Sequence, residues 1–136
     1  MRDFNEQIIS EFRENNGHVT TAGFGSNLVL LHTTGARTGA ERISPVMSVR
    51  DGDAWLVVAS AGGRPQHPAW YFNLLKHPDT MIETAEGTVG VTATDLDGDE
   101  RARAWAKIVA RAPGFADYQE RAVGRRIPVL RLTRRA

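Results

Sequence analysis

Cysteine is absent from this 136-residue sequence. Disulfides, thiolate nucleophiles and zinc or iron–sulfur sites built on cysteine are therefore excluded. Long apolar runs are also absent, since none approaches the roughly 20 residues that a membrane-spanning helix needs. The first residues include Arg2, Asp3 and Glu6, which is not the pattern of a signal peptide. We therefore expect a cytoplasmic protein.

An excess of charge of one sign is missing as well, because 17 basic residues face 16 acidic ones and the net charge is +1. This near-neutrality argues against nucleic acid as a partner. The charge is nevertheless uneven, since residues 121–136 contain several arginines and no acid. We interpret this segment as a solvated end of the chain. The alternatives are a part in an anion site, or weak peripheral contact with the acidic inner face of a membrane.

Several catalytic and cofactor motifs are missing. Gly23-Phe24-Gly25 begins a dinucleotide fingerprint, but Leu28 stands where the third glycine belongs, and neither a P-loop nor a Gly-x-Ser-x-Gly elbow occurs. The histidines show no metal-ligand spacing: His18, His32, His67 and His77. We predict no metal site, and only His67 is retained as a candidate for the functional site.

Apolar periodicity predicts antiparallel strands with flanking helices. Helices are predicted over 3–15, 68–76 and 97–108, with a further turn or two over 115–123, and strands over 28–34, 42–50, 54–59, 80–86, 88–95 and 127–133. Hairpin turns link neighbouring strands, and strand–helix–strand alternation is missing. We therefore predict a mainly β fold of the α+β class, an antiparallel barrel in a single domain over residues 1–136, with an amphipathic helix within residues 1–17. Pro45 predicts an edge position or a bulge in the second strand.

The stretch over residues 33–45 is the most informative part of the sequence. Two glycines bracket an arginine and a threonine within it, and a second arginine follows: Gly35, Arg37, Thr38, Gly39 and Arg42. A tight turn of this composition gathers backbone N–H groups, a hydroxyl and guanidinium groups, which suit an anionic ligand. A second loop adds further donors from Ser60, Gly62, Gly63 and Arg64. Because donors outnumber bases, we expect a bound anion, with the chemistry supplied by a cofactor.

Two aromatic residues belong to the segments near these loops. Trp70 either seals the end of the barrel or forms a wall for a flat heterocycle. Tyr118 follows a Pro-Gly break, and it either caps the core or acts as a lid or proton donor over a substrate. The sequence leaves both pairs of alternatives open.

The order of short motifs along nearly the whole chain resembles the deazaflavin-dependent nitroreductase family, the A group of flavin/deazaflavin oxidoreductases. The motifs are Thr33-Thr34-Gly35-Ala36-Arg37-Thr38-Gly39 with Arg42 and Pro45, Asp51-Gly52-Asp53, Val58-Ala59-Ser60 with Gly62-Gly63, Pro68-Ala69-Trp70-Tyr71-x-Asn73-Leu74, Gly98-Asp99-Glu100-Arg101, Phe115-Ala116-Asp117-Tyr118-Gln119 and Ile127-Pro128-Val129. The resemblance implies the split β-barrel of pyridoxamine-phosphate-oxidase-like proteins.

The resemblance further implies coenzyme F-420, an 8-hydroxy-5-deazaflavin with a phosphate and an oligoglutamate tail. It implies hydride transfer to a small acceptor such as a quinone, an enone or a nitro compound. The phosphate and tail would contact Arg37, Thr38, Gly39 and Arg42. Further coenzyme-binding residues would be Ser44, Pro45, Met47, Ser60, Ala61, Gly62, Gly63, Trp70 and Asn73. Tyr118 would face the substrate, and Asn73 would also support the loop.

Two positions depart from the family pattern. Family members often carry lysine where this chain has Ala61, and an aromatic residue where it has Met47, so anion binding and substrate preference can differ here. One alternative is an FMN-binding split-barrel reductase, since FMN also carries a phosphate. Another is a non-catalytic carrier of the coenzyme or of a lipid. We expect a monomer or a homodimer.

Overall fold

Six antiparallel strands close into a barrel in the computed structural model, which describes residues 4–20, 28–59, 67–121 and 126–135. The strands are β1 (Leu28–Thr34), β2 (Glu41–Asp51), β3 (Ala54–Val58), β4 (Asp79–Thr84), β5 (Gly87–Asp95) and β6 (Val129–Arg134). Their order around the barrel is β1-β2-β3-β6-β5-β4, and every neighbouring pair is antiparallel. The predicted antiparallel barrel is confirmed.

The described residues also form four helices. They are α1 (Phe4–Glu14), α2 (Ala69–Lys76), α3 (Gly98–Arg111) and α4 (Gly114–Arg121). The predicted helices and strands all occur, and their ends differ by a few residues from the prediction. In the described ranges, no helix is both long enough and apolar enough to cross a membrane.

Strand alternation gives the barrel two apolar layers. On β1, Val29 and Leu31 point into the barrel, whereas Leu28 and Leu30 point outward towards α1. The inner layer contains Val29, Leu31, Val46, Trp55, Val57, Ala59, Tyr71, Leu74, Ile82, Val91, Leu130 and Leu132. Each large side chain buried in this way contributes about 1.5–3 kcal/mol to folding. Both faces of β1 are therefore buried, which explains its continuous apolar run.

The outer layer is covered by three helices. Ile8 and Phe12 of α1 pack on the outward side chains of β1. Ile108 of α3 and Phe115 of α4 pack on the outward side chains of β3 and β6, including Leu56. The spacing of four residues between Ile8 and Phe12 brings both onto one helical face, as the sequence predicted.

The second helix contributes to the inner layer. Tyr71 and Leu74 of α2 are buried in the inner cluster, and Trp70 packs against it while half-buried. Pro68 was predicted as the first helical residue, but it is the N-cap, with extended backbone angles of φ −67° and ψ 152°, and the helix begins at Ala69. Pro68 therefore terminates the loop before α2, since its ψ lies outside the helical range.

The proline in β2 lies on a stretch with only one paired neighbour among the described strands. Residues 41–47 pair with β1, while β3 pairs with residues 48–51. Pro45 is opposite Leu30 in an uninterrupted register, so the alternative of a bulge in this ladder is wrong. The edge position stays a prediction, because residues 60–66, which follow β3, lie outside the described residues. A residue without an N–H is compatible with this position because, among the described residues, Pro45 has no ladder partner on its second side.

Proline also fixes where the last strand begins. The predicted strand started at Ile127, but β6 starts at Val129, opposite Val58. Pro128 has no N–H to donate, yet its carbonyl accepts a hydrogen bond from the Ala59 N–H at 3.0 Å. The chain is therefore attached to β3 before regular pairing begins.

Candidate functional site

The β1–β2 turn is closed by its own backbone. The Gly35 N–H donates to the Ala40 carbonyl at 2.7 Å, and the Gly39 N–H donates to the Gly35 carbonyl at 2.9 Å. Thr38 Oγ1 accepts a hydrogen bond from the Ala40 N–H at 3.2 Å. Gly39 has φ +73°, a left-handed conformation that favours glycine. The sequence pattern of two glycines around Arg37 therefore produces a compact, internally bonded turn.

Asn73 of α2 fixes this turn to the barrel. Its Oδ1 accepts the Ala36 N–H at 3.0 Å, and its Nδ2 donates to Thr33 Oγ1 at 3.3 Å. Asn73 and Thr33 are the buried polar residues of the described chain, at 8% and 2% exposure. A buried amide satisfied on both sides holds its partners in one geometry. The structure therefore shows Asn73 holding the β1–β2 turn to the barrel; its contact with the coenzyme stays a prediction.

The two arginines of the turn region are exposed. Arg37 lies at the tip of the turn, and Arg42 lies opposite Thr33 at the start of β2. Neither guanidinium has a hydrogen bond or an ion pair with any other described residue. The nearby carboxylate of Glu41 bonds His32 Nδ1 at 3.0 Å. Two guanidinium groups with unused donors therefore flank one rigid turn, which suits a phosphate or a carboxylate.

The predicted coenzyme residues of β2 lie on two faces of the strand. Arg42 and Ser44 share one face of the strand with Val46, which points into the barrel. Pro45 and Met47 lie on the opposite face. Ser44 and Pro45 are half-buried. Met47 packs on the outer clusters, against α1 on one side and against α3 and α4 on the other. The sequence placed these residues in one set, whereas the strand separates the arginine row from the methionine row.

Met47 lies beside the helix that carries Tyr118. Met47, Val58 and Phe115 line a cavity of about 20 Å³, large enough for one water molecule. Phe115 is buried in α4, one helical turn before Tyr118. The side chain of Tyr118 lies outside the described part of the structure, so its predicted role as lid or proton donor stays a prediction.

The second predicted loop cannot be placed. Ser60, Ala61, Gly62, Gly63 and Arg64 lie outside the described residues. Trp70, which follows this loop, packs half-buried against the inner cluster of the barrel. That contact fits the interpretation of Trp70 as a seal, and its partial exposure leaves surface for a ligand. Among the described residues, no three acidic or histidine side chains come together as metal ligands would.

The sequence did not predict a polar contact between α2 and the end of β5. The Tyr71 hydroxyl donates to Asp95 Oδ2 at 2.5 Å, and the His67 ring lies 4.8 Å from the Tyr71 ring. Burial, together with the hydrogen bond to Asp95, raises the pKa of Tyr71 to about 12, so the phenol stays protonated. His67 and Tyr71 line a cleft of about 260 Å³. No local motif could predict the contact between Tyr71 and Asp95, since they are 24 positions apart.

Arg101 lies in the same cleft, with Arg126 across from it. Its Nη2 donates to the Ile127 carbonyl at 2.6 Å, and its Nε is buried without a partner among the described atoms. Burial, and then the charge of Arg126, lowers the pKa of Arg101. The hydrogen bond ties α3 to the segment that precedes β6.

The closed antiparallel barrel with helices packed on its outside defines the class of fold to which this protein belongs. A putative pyridoxamine 5′-phosphate oxidase from Listeria innocua shows the same fold at a TM-score of 0.55, with 8% identity over 98% of this chain and 95% of that chain. Residues 5–134 match the family model described as F420H(2)-dependent quinone reductase, in which F420H(2) denotes reduced coenzyme F-420. The chain therefore belongs to the F420H(2)-dependent quinone reductase family.

Closer relatives agree with this assignment. An F420H(2)-dependent quinone reductase of Mycobacterium tuberculosis is 44% identical over 110 residues, which cover 79% of this chain and 73% of the relative. A solved structure of an F420-H2 dependent reductase, FDR-A, has a TM-score of 0.71 and 37% identity, and covers 78% of this chain and 93% of that one. A structure described as a domain-swapped dimer has a TM-score of 0.72 and 33% identity, over 93% and 97% of the two chains.

The family decides several predictions made from the sequence. The split-barrel fold, the enzymatic character, and coenzyme F-420 as the cofactor are confirmed. The chain is an F420H(2)-dependent reductase. FMN binding and the carrier alternative have no support from these relatives. The roles of individual site residues are not decided by family membership.

Proposed function

We propose that this protein reduces a quinone with hydride from reduced coenzyme F-420, and that the β1–β2 turn holds the anionic part of the coenzyme. The observation that carries the residue assignment is the pair of guanidinium groups at Arg37 and Arg42, which lack partners among the described residues. They flank a turn that Asn73 holds to the barrel. The donor set fits the group, because phosphate is an acceptor that guanidinium groups bind in a bidentate manner.

The turn contributes positioning as well as charge. Its internal hydrogen bonds and the buried contact with Asn73 are formed by protein groups alone. A turn ordered in advance loses little conformational entropy when an anion binds. Thr38 and Gly39 sit at its exposed tip, where a hydroxyl and a backbone amide can add to the guanidinium donors. We assign the phosphate and the first part of the tail to this tip.

The acceptor side is assigned to the outer row of β2. Met47 shares a small cavity with Phe115 of α4, so this row lies next to the helix that carries Tyr118. The bound coenzyme supplies a hydride, and the protein orients the acceptor and excludes water around it. Methionine is an unbranched, polarisable side chain that adapts to flat apolar ligands of different shapes. We propose that Met47 and Tyr118 together shape the quinone site.

Assembly and location belong to this proposal too. A structural relative described as a domain-swapped dimer supports a homodimer as one state of this chain, beside the monomer. Size-exclusion chromatography with light scattering distinguishes the two. The cytoplasmic location and the weak membrane contact stay predictions from the sequence. Sedimentation with anionic and neutral lipid vesicles tests the membrane contact.

The decisive experiment is a fluorescence titration with oxidised coenzyme F-420, and with FMN as the parallel ligand. We expect saturable binding of the deazaflavin at micromolar or lower concentration, and no binding of FMN. Anaerobic oxidation of the reduced coenzyme by a soluble quinone then measures turnover. Binding without turnover over a panel of quinones, enones and nitro compounds would favour the carrier. Binding of FMN alone would overturn the coenzyme assignment for this chain.

A further inference from the structure

Lys76 approaches the same turn from α2. It is the last residue of the helix, and its Nζ donates to the Ala36 carbonyl at 3.0 Å. The N–H of Ala36 is bonded to Asn73, one helical turn earlier. Both backbone groups of Ala36 are therefore held by α2, and the next residue along the turn is Arg37. Lys76 is exposed, so its ammonium group is accessible to a ligand.

The ammonium group of Lys76 has unused capacity. A lysine has three N–H donors, and the contact with Ala36 uses one of them. No carboxylate pairs with Lys76 anywhere in the described ranges. Lys107, the other lysine of the sequence, pairs with Asp51 at 3.0 Å. Lys107 therefore has a carboxylate partner and Lys76 has none among the described residues. This difference makes Lys107 a suitable control for Lys76.

We propose that Lys76 is a third anion-binding residue of the β1–β2 turn and contacts the phosphate or the glutamate tail of the coenzyme. This inference rests on the function proposed above and adds a residue that the turn motif does not contain. Arg37 and Lys76 provide positive charge beside the Ala36 peptide, and Arg42 provides it at the start of β2. The contact with Ala36 limits where the ammonium lies, which reduces the entropy lost when an anion arrives.

A purely local role makes a different prediction. Lysine is common in the last turn of a helix, where it interacts favourably with the helix dipole. If Lys76 only holds the Ala36 carbonyl, a neutral donor serves equally well. Lys76→Gln keeps an N–H donor and loses the charge, whereas Lys76→Met loses both. Lys76→Arg keeps the charge. Lys107→Gln is the control for removing one positive charge elsewhere on the surface.

The test is a fluorescence titration of these variants with coenzyme F-420 at two salt concentrations. We expect Lys76→Gln and Lys76→Met to weaken binding about threefold to tenfold at low salt, with a smaller loss at high salt. Lys76→Arg and Lys107→Gln should bind as the original protein does. A coenzyme form without glutamates separates the two contacts, because an equal loss indicates the phosphate and a loss confined to the tailed form indicates the tail.

Three results would overturn the inference. If Lys76→Gln binds normally while Lys76→Met does not, the residue only supports the turn. If all three Lys76 variants bind normally while Arg42→Ala does not, the anion site excludes Lys76 but the proposed function stands. If the unsubstituted protein fails to bind the coenzyme, the proposed function falls first and the inference with it. Melting temperatures of all variants show whether the fold is intact.

Discussion

Two groups of arginines in this protein differ in their partners. Arg13 of α1 makes a two-point contact with Glu83, from Nε to Oε1 at 3.0 Å and from Nη2 to Oε2 at 2.8 Å. Arg131 of β6 joins Asp51 and Glu100. Arg37 and Arg42, by contrast, contact no acidic side chain of the described chain. The first group links distant segments of the chain, and the guanidinium N–H donors of the second group are not used by the described residues.

The difference teaches where charge serves the fold and where it serves a ligand. The contact of Arg13 with Glu83 bridges 70 positions of sequence and connects α1 to β4. It also raises the pKa of Arg13. A guanidinium group without a partner forms no such link between distant segments of the fold. The proposal that Arg37 and Arg42 bind the ligand rests on this difference, and the predictions below test it.

The largest expected effect is on the coenzyme. Arg42→Ala should weaken binding of coenzyme F-420 by about 1.5–3 kcal/mol, because a charge-assisted hydrogen bond is lost. Its melting temperature should stay unchanged, since the Arg42 side chain forms no hydrogen bond or ion pair with any described residue. Fluorescence titration and thermal melting measure the two quantities. Arg103→Ala, on the exposed side of α3, is the control. Normal affinity combined with a lower melting temperature would make Arg42 a structural residue.

The next largest effect is expected for Asn73→Ala, which should lower both the stability of the fold and the affinity for the coenzyme. Asn73→Ala leaves the Ala36 N–H and the buried hydroxyl of Thr33 without their partner, at a cost of about 1–3 kcal/mol in the free energy of unfolding. Because the turn loses its attachment to α2, binding of the coenzyme should weaken as well. Urea unfolding and the titration measure these losses. An unchanged affinity in a destabilised variant would show that the turn is ordered without Asn73.

A smaller effect, with a clear pH dependence, is expected at Glu83. The hydrogen bond from Arg13, and also that from His32, lowers the pKa of Glu83 below its ordinary 4.5. A lowered folded-state pKa stabilises the protein above pH 4.5, and the stabilisation is lost as the pH falls through the lowered value. Glu83→Gln should therefore cost about 1 kcal/mol at pH 7, and the difference should shrink below pH 4.5. Melting curves of both proteins across that range give the measurement. A constant difference at all pH values would contradict it.

The smallest effect is expected at the surface pair of Lys107 and Asp51. The hydrogen bond from Lys107, with a further one from Arg131, lowers the pKa of Asp51. Both partners are substantially exposed, so solvent and salt screen the attraction. Lys107→Gln should lower the free energy of unfolding by about 0.5 kcal/mol or less. Coenzyme affinity should not change. A loss of coenzyme affinity in this variant would contradict the separation between cations that stabilise the fold and cations that bind the ligand.

Most of the fold was predictable because apolar periodicity determines which face of each element is buried. The alternation along β1 and β2 and the spacing of Ile8 and Phe12 are local signals, and the hairpins follow from Gly-containing turns. Local signals were weakest at the ends of elements, as at Pro68 and at Ile127. At Pro68 the extended ψ moves the helix start by one residue, and at Pro128 the missing N–H moves the start of β6 by two.

The candidate site was predictable in composition and less so in arrangement. The turn motif indicated an anion from Arg37 and Arg42, but it could not reveal that Lys76 joins them from another element, 40 positions away. The pairing of Tyr71 with Asp95 was hidden for the same reason. Pairings of this kind depend on the order of strands around the barrel, which no short window of sequence contains.

The alternation of β2 has a consequence for how such an enzyme changes. Arg42 and Ser44 lie on one face of the strand, and Pro45 and Met47 lie on the other. If the first face holds the coenzyme and the second faces the acceptor, a substitution on one face leaves the other undisturbed. Substrate range can then diverge, in nature or in a directed-evolution library, while the cost of binding the coenzyme stays fixed. One strand would in this way separate the residues that select the acceptor from the residues that bind the coenzyme.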